Sequence, residues 1–381
     1  MAKTELIATT TFGLEAVVKR ELIKMGYTPK SVSDGKITFE GDEWAIPRAN
    51  LWFRTADRIL LKMGEFPVHS FDDLFELTRE LPWSEWIPRD GSFPVTGKAV
   101  KSKITSIPAC QATVKKAVVE ALRRSYHMEQ FPETGPSFHI QVSLLSNVAT
   151  LTVDTSGTAL HKRGYRSMPV KAPLKETLAA AMVELSYWKP DRVLLDPFCG
   201  SGTIPIEAAL IGRNIAPGLG RQFAAETWPS IQKKYWKEAR IEAYQSIEQD
   251  TRIRVIASDR DRNAVKGARE NASCAGIEDC IAFSSTPVDR IDVSDDYGVI
   301  ITNPPYGERI GEQAEVKRLY RKIGKIFRAN PTWSVYVLSP EERFESLYGK
   351  KADRKRKLFN GKIKVNYYQF YGPRPPYYPL R

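Results

Sequence analysis

The chain has 381 residues, 42% hydrophobic and 27% charged, which suits a soluble globular protein of two or three domains with ample cores. Lysine and arginine outnumber aspartate and glutamate 57 to 45, a net charge of +12 that points to a polyanionic partner. The four cysteines form no C-x-x-C pair and the four histidines are scattered, which argues against a structural zinc site and for a reducing compartment.

The start, Met-Ala-Lys-Thr-Glu, lacks a signal peptide's apolar stretch, and no run approaches membrane-spanning length, so a cytoplasmic location is expected. Residues 4–9 read as a strand. Residues 13–26 carry Leu14, Val17, Val18, Leu22 and Met25 on one helical face. Residues 36–40 and 59–63 read as strands, and residues 74–81 as a helix that stops at Pro82. This is a small α+β unit without an acid–base constellation.

A second unit follows. A strand over 93–100 leads into Lys101-Ser102-Lys103, and Pro108 opens a helix that runs to about residue 126. Phe138, Ile140, Val142 and Leu144 alternate as a strand, with residues 148–154 as its hairpin partner across Ser146-Asn147. Then comes Leu160-His161-Lys162-Arg163-Gly164-Tyr165-Arg166. Cations interleaved with an aromatic suit phosphates and a stacked base; a solvated basic linker has the same composition. Residues 169–173 look like a domain boundary, and residues 175–185 like a helix.

Residues 192–209 read as strand, glycine-rich turn and helix. A parallel α/β sheet places a ligand at such a turn. Asp196 ends the strand, and Pro197, Phe198, Gly200, Ser201, Gly202 and Thr203 make the turn. A carboxylate there repels a pyrophosphate and attracts an ammonium group. The spacing fits neither G-x-G-x-x-G nor G-x-x-x-x-G-K-[ST]. Residues 212–252 form an insertion with Phe223, Trp228, Tyr235 and Trp236. Residues 252–258 are the next strand. Asp259 at its tip can hold a ribose diol, and Asp261 suits the N-cap of a helix over 262–275.

A third strand over 281–283 and a fourth over 299–302 follow. The fourth is apolar, β-branched and buried in character, and it ends at Asn303-Pro304-Pro305-Tyr306. The residue before a proline is pushed to extended backbone, so Asn303 finishes the strand with its side chain at the tip. Neither proline has an N–H, leaving a stiff corner of acceptors: the Asn303 amide oxygen and the Pro304 carbonyl. Tyr306 adds a flat ring. Such a corner can hold both N–H groups of an exocyclic amine while the ring stacks on its plane. Four strand tips, at Asp196, Asp259, Ser284 or Ser285, and Asn303, thus meet on one edge. Beyond them come a helix over 318–327, a strand over 334–338 and a hairpin around 362–371. Residues 350–364 carry eight lysines or arginines against one aspartate.

Together the 196–203 turn, Asp259 and Asn303-Pro304-Pro305-Tyr306 resemble the class I S-adenosylmethionine-dependent methyltransferases of the N-P-P-Y amino-methylating group. With Leu-His-Lys-Arg-Gly-Tyr-Arg ahead of it, the chain resembles the THUMP-domain RNA methyltransferases, above all the bacterial family acting on guanine N2 of 23S ribosomal RNA. The resemblance implies an α/β fold: a ferredoxin-like domain over 1–65, an RNA-binding THUMP domain over 66–166 and a Rossmann-like catalytic domain over 167–381. It implies a seven-stranded mixed sheet whose last strand is antiparallel. It also implies that Asp196 and the glycine turn hold the donor's methionine end and Asp259 its ribose. Asn303 flanks the donor, and with Pro304, Pro305 and Tyr306 it holds the target base. Many members carry an acid after the third strand; Ser284 takes that place here. Lys101, Lys103, His161, Lys162, Arg163, Tyr165 and Arg166 are the expected RNA contacts, and no metal is implied. Adenine-N6 methylation of DNA or RNA would use the same corner, as would methylation of a protein glutamine amide. A non-catalytic RNA-binding factor would need none of Asp196, Gly200, Gly202 and Asn303 together.

Overall fold

The computed structural model describes residues 3–166, 173–292, 294–307 and 312–376. Of the boundary expected over 169–173, only Pro173 lies among them. The chain packs as two compact units that interleave in sequence: residues 1–10, 18–160 and 221–243 make one, and 11–17, 161–220 and 244–381 the other.

The first unit contains, in chain order, β1 (Thr4–Thr9), α1 (Glu15–Lys24, whose first turn counts with the second unit), β2 (Pro29–Ser33), β3 (Lys36–Gly41), α2 (Ala45–Trp52), β4 (Arg58–Pro67), α3 (Phe71–Arg79), β5 (Val95–Val100), α4 (Ile107–Tyr126), β6 (Ile140–Leu145) and β7 (Val148–Asp154). One seven-stranded sheet runs β2-β3-β1-β4-β7-β6-β5. Only β5 and β6 pair in parallel, and α4 makes the crossover that such a pair requires. The β6–β7 hairpin turns on Ser146 and Asn147, both at positive φ (50° and 64°), the backbone of a tight two-residue turn. Strand β4 runs through residues 65 and 66, where the sequence reading divides two domains; it pairs with β1 on one side and β7 on the other.

The second unit contains α5 (Glu176–Glu184), β8 (Leu194–Asp196), α6 (Thr203–Gly212), then past α7 (Lys233–Gln245) β9 (Val255–Ser258), α8 (Arg262–Cys274), β10 (Ile281–Ser284), β11 (Val299–Thr302), α9 (Glu312–Phe327), β12 (Ser334–Ser339), α10 (Phe344–Tyr348), β13 (Arg354–Asn360) and β14 (Ile363–Phe370). Its sheet order is β10-β9-β8-β11-β12-β14-β13. Strand β14 runs antiparallel to both neighbours, and the pairs from β10 to β12 are parallel, as the family resemblance implies.

Strand β11 shows why this sheet needs apolar residues on both faces. Val299 and Ile301 join Leu194 in one core, while Ile300 joins Leu195 in the other, and all are fully buried. A parallel sheet covered on both sides reads as a continuous apolar run. Each such side chain contributes about 1.5–3 kcal/mol on burial.

The insertion over 212–252 does more than bridge two elements. Its Phe223, Trp228, Tyr235 and Trp236 belong to the first unit's core, with Trp228 stacked 4.6 Å from Phe138 and its Nε1 donating to the Ser137 carbonyl at 3.0 Å. Among the described residues no helix is long and apolar enough to cross a membrane.

Candidate active site

Parallel register brings the glycine turn and the proline corner together. Val299 pairs with Leu194 and Ile300 with Leu195, so β11 continues past the end of β8. Asn303 therefore lies two residues beyond the level of Asp196, roughly 7 Å along the strand direction. The last residue of β11 ties the two motifs: Thr302 Oγ1 donates to Asp196 Oδ1 at 2.7 Å. The Phe198 N–H donates to the same oxygen at 3.1 Å. Asp196 is buried, which pushes its carboxyl up to about 7 against the pull of those two donors. A buried carboxylate without a cation is costly, and an arriving ammonium group relieves that cost.

The turn itself is gripped from several sides. Asp259, at the tip of β9, accepts from the Gly200 N–H at 3.1 Å through Oδ2 and from the Asp261 N–H at 3.0 Å through Oδ1. Each carboxylate oxygen accepts more than one donor, so a ribose diol can still bind there. Asn271 on the buried face of α8 donates to the Ser201 carbonyl at 2.9 Å. Gly202 sits at φ +81° at the head of α6, and a Cβ there would come within 3.0 Å of the Ala268 Cβ. Gly202→Ala therefore strains the backbone and crowds α8. We expect a loss of about 1–3 kcal/mol in urea unfolding and weaker donor binding by calorimetry. A Cβ added at Gly200, at φ +50°, would meet nothing within 4 Å, so open space lies beside the turn where a ligand can approach.

This geometry suits S-adenosylmethionine: an acid for its ammonium, a helix N-terminus for its carboxylate, a second acid for its ribose. Pro197 is buried, Phe198 half-buried, and Thr203 buried with its hydroxyl 3.3 Å from that of Ser201. Ser284, at the tip of β10, is half-buried and donates its hydroxyl to Ser258 Oγ at 3.2 Å. Asp261 is the N-cap of α8, accepting from the Asn263 N–H at 2.8 Å, as its spacing implies.

The proline corner differs in one respect from the sequence expectation. The Tyr306 hydroxyl donates to Asn303 Oδ1, and its ring lies half-buried against the sheet's apolar core. Ring and acceptor thus engage each other. Pro304 is buried and Pro305 exposed, and the Pro305 carbonyl accepts from Tyr320 at 3.1 Å. Tyr320 is braced in turn by Ser339 Oγ at 3.1 Å.

The expected RNA contacts separate into two groups. Lys101, Lys103 and Lys162 are exposed, and His161 is half-buried. Arg163 and Tyr165 are not surface groups at all: each is 5% exposed, and both turn inward to Glu207. Arg166 also points inward, to Thr203 and Glu176. The reading of Arg163 and Tyr165 as RNA contacts is corrected by their burial, while Arg166 is half-buried with its guanidinium engaged inside the protein. The sequence reading missed Thr302, Asn271 and Glu207. Each is a lone polar residue in an apolar pattern: at the end of β11, on the buried stripe of α8, and inside Thr-Ile-Pro-Ile-Glu-Ala-Ala-Leu of α6.

Comparison with known proteins identifies the domains and the family. Family models match residues 5–60 as the RlmL ferredoxin-like domain, 68–154 as a THUMP domain, and 163–369 as the RMKL-like methyltransferase domain. The Bacillus subtilis (strain 168) protein named "Putative RNA methyltransferase YpsC" is 50% identical over 373 residues, 97% of both chains. A Listeria monocytogenes structure described as a predicted N6-adenine-specific DNA methylase is 49% identical, with a TM-score of 0.94 over 98% of this chain and 97% of that one. The structure of SMU.472, described as complexed with SAH, is 42% identical, with a TM-score of 0.94 over 98% of this chain and all of the other. The chain belongs to the RMKL-like methyltransferase family with ferredoxin-like and THUMP domains, enzymes whose methyl donor is S-adenosylmethionine.

Proposed function

We propose that this protein methylates the exocyclic N2 of a guanine in RNA, with 23S ribosomal RNA as its substrate in the cytoplasm. The observation that carries the reading is the 2.7 Å bond from Thr302 to Asp196, which locks the amine-holding corner beside the donor turn. When bound, the donor supplies a methyl carbon on a positively charged sulfur. The chain's own residues hold the amine. Asn303 Oδ1 accepts one N–H, in exchange for the Tyr306 hydroxyl, and the Pro304 carbonyl accepts the other. As the nitrogen's lone pair leaves conjugation to form the new N–C bond, its N–H groups become more acidic. Both acceptors then bind the transition state more tightly than the ground state. The C–S electron pair stays on sulfur and the surplus proton leaves the nitrogen for solvent. A base paired in a helix cannot reach this corner, so the target is single-stranded or flipped out.

RNA is favoured over DNA by the N-terminal THUMP domain and by the distribution of cations. Lys101 and Lys103 are exposed beside edge strand β5. In the catalytic unit, edge strand β13 and its hairpin expose Arg354, Lys355, Lys357, Lys362 and Lys364. Replacing Lys101 and Lys103 with alanine should weaken RNA binding several-fold, on the order of 1 kcal/mol, and lower the slope of log affinity against log salt by about 2. Filter binding over a salt series checks this. The reading itself is tested by nucleoside analysis of ribosomal RNA with and without the gene. Loss of one N2-methylguanosine supports it; loss of N6-methyladenosine instead, or no change, rejects it.

A further inference from the structure

We propose that Arg166, backed by Arg163, is a positioning residue that fixes the donor turn from outside. The segment 163–166 grips one face of α6 at two levels. At the first, Arg166 Nη2 donates to Thr203 Oγ1 at 3.0 Å and to the Leu174 carbonyl at 3.3 Å, and lies 3.2 Å from Glu176 Oε1. At the second, Arg163 Nε and Nη2 reach Glu207 Oε1 and Oε2, both at 3.4 Å, and the Tyr165 hydroxyl donates to Oε1 at 3.2 Å. Thr203 and Glu207 are four residues apart, so they share a face of the helix one turn apart.

This helix needs an outside brace. It starts at Gly202, in left-handed backbone, with no side-chain cap. The hydroxyl of Thr203, the first helical residue and the neighbour of Ser201, is held by Arg166 instead. The Arg163 and Glu207 side chains are 3% and 0% exposed. Burying two charges costs more than their attraction commonly returns, so such a pair is better understood as setting geometry than as adding stability. All three partners gather on Nη2, at the far end of the guanidinium and sharing its two N–H groups, a position that the shorter lysine side chain does not reproduce. The brace thus holds the turn of the donor site assigned above, and rests on that assignment.

Removing the charge of Arg166 would strand the buried Glu176, so the test uses Arg166→Lys and Thr203→Val, which keep the charge and the volume respectively. Calorimetric titration of the full chain with S-adenosylmethionine should show binding weakened about tenfold by each. The double variant should be no weaker than either single one, since both remove one interaction. Thr203→Ser, which keeps the hydroxyl, should bind as the parent does. Affinity for a ribosomal RNA transcript should be unchanged in all. Additive losses would mean that Thr203 meets the donor directly, and would overturn the brace. So would unchanged donor affinity, or an Arg166→Lys variant that loses RNA affinity alone. Asp196→Asn separates the brace from the donor-site assignment: if it too leaves donor binding intact, the donor site itself is misassigned, whereas its loss of binding beside an intact Arg166→Lys rejects only the brace.

Discussion

Replacing Asn303 with alanine is expected to lower kcat by about a hundred- to a thousandfold while leaving the dissociation constant for S-adenosylmethionine within about twofold. The asymmetry follows from where the residue stands. Asn303 lies past the end of β11, two residues beyond the level of Asp196, whereas the partners proposed for the donor's ammonium, carboxylate and ribose lie on β8, the glycine turn and β9. In the proposed mechanism its amide oxygen meets the amine, whose N–H groups become better donors only as the new bond forms. The Tyr306 hydroxyl loses its partner in the variant, but Thr302 still holds Asp196, so the donor side keeps its shape. Single-turnover kinetics beside calorimetry separate the two effects.

Asp196→Asn should show the reverse pattern: donor affinity weakened about ten- to a hundredfold at pH 8, because a charge-assisted hydrogen bond to the ammonium is lost. The asparagine oxygen still accepts from Thr302 and the Phe198 N–H, so the fold survives. Burial pushes the Asp196 carboxyl from 3.8 up to about 7. In the parent protein, donor affinity should therefore fall up to about tenfold per pH unit as pH drops below about 7, since only the ionised form pairs with the ammonium. The asparagine variant should lose that dependence. Stability without donor moves the other way. A folded pKa above the unfolded value gives a contribution that is full below about pH 4 and disappears as pH rises to about 7. Above pH 7 the donor-free variant should be the more stable protein, by at most about 4 kcal/mol, in urea unfolding across that range.

The parts of the site that were legible in the sequence are those set by neighbours in the chain. The β-branched run into Asn303-Pro304-Pro305 dictates a buried strand and a stiff tip whatever surrounds it, and β11 spans Val299–Thr302 as that pattern implies. Asp196 with Gly200 and Gly202 reads as a turn for the same local reason. What stayed hidden depends on partners distant in sequence. Arg163 and Glu207 are 44 residues apart, and composition alone makes an inward arginine look like one that meets phosphate. The aromatic residues over 223–236 stood out in the sequence, but nothing local says that they fill the first unit's core beside Phe138. Tyr306 is an intermediate case: its place in the corner is local, while its hydroxyl's choice of Asn303 Oδ1 is a matter of side-chain rotation.

The central claim is that the Asn303 corner presents an amine to the donor's methyl carbon. A crystal structure with S-adenosylhomocysteine and a guanine-containing oligonucleotide tests it most directly. The account predicts guanine N2 within hydrogen-bond reach of Asn303 Oδ1, with open space for a methyl group between N2 and the donor sulfur, at a reacting separation of about 3–3.5 Å from the carbon it would carry. A sulfur directed away from Asn303, or a base seated with N2 turned from that oxygen, would contradict it.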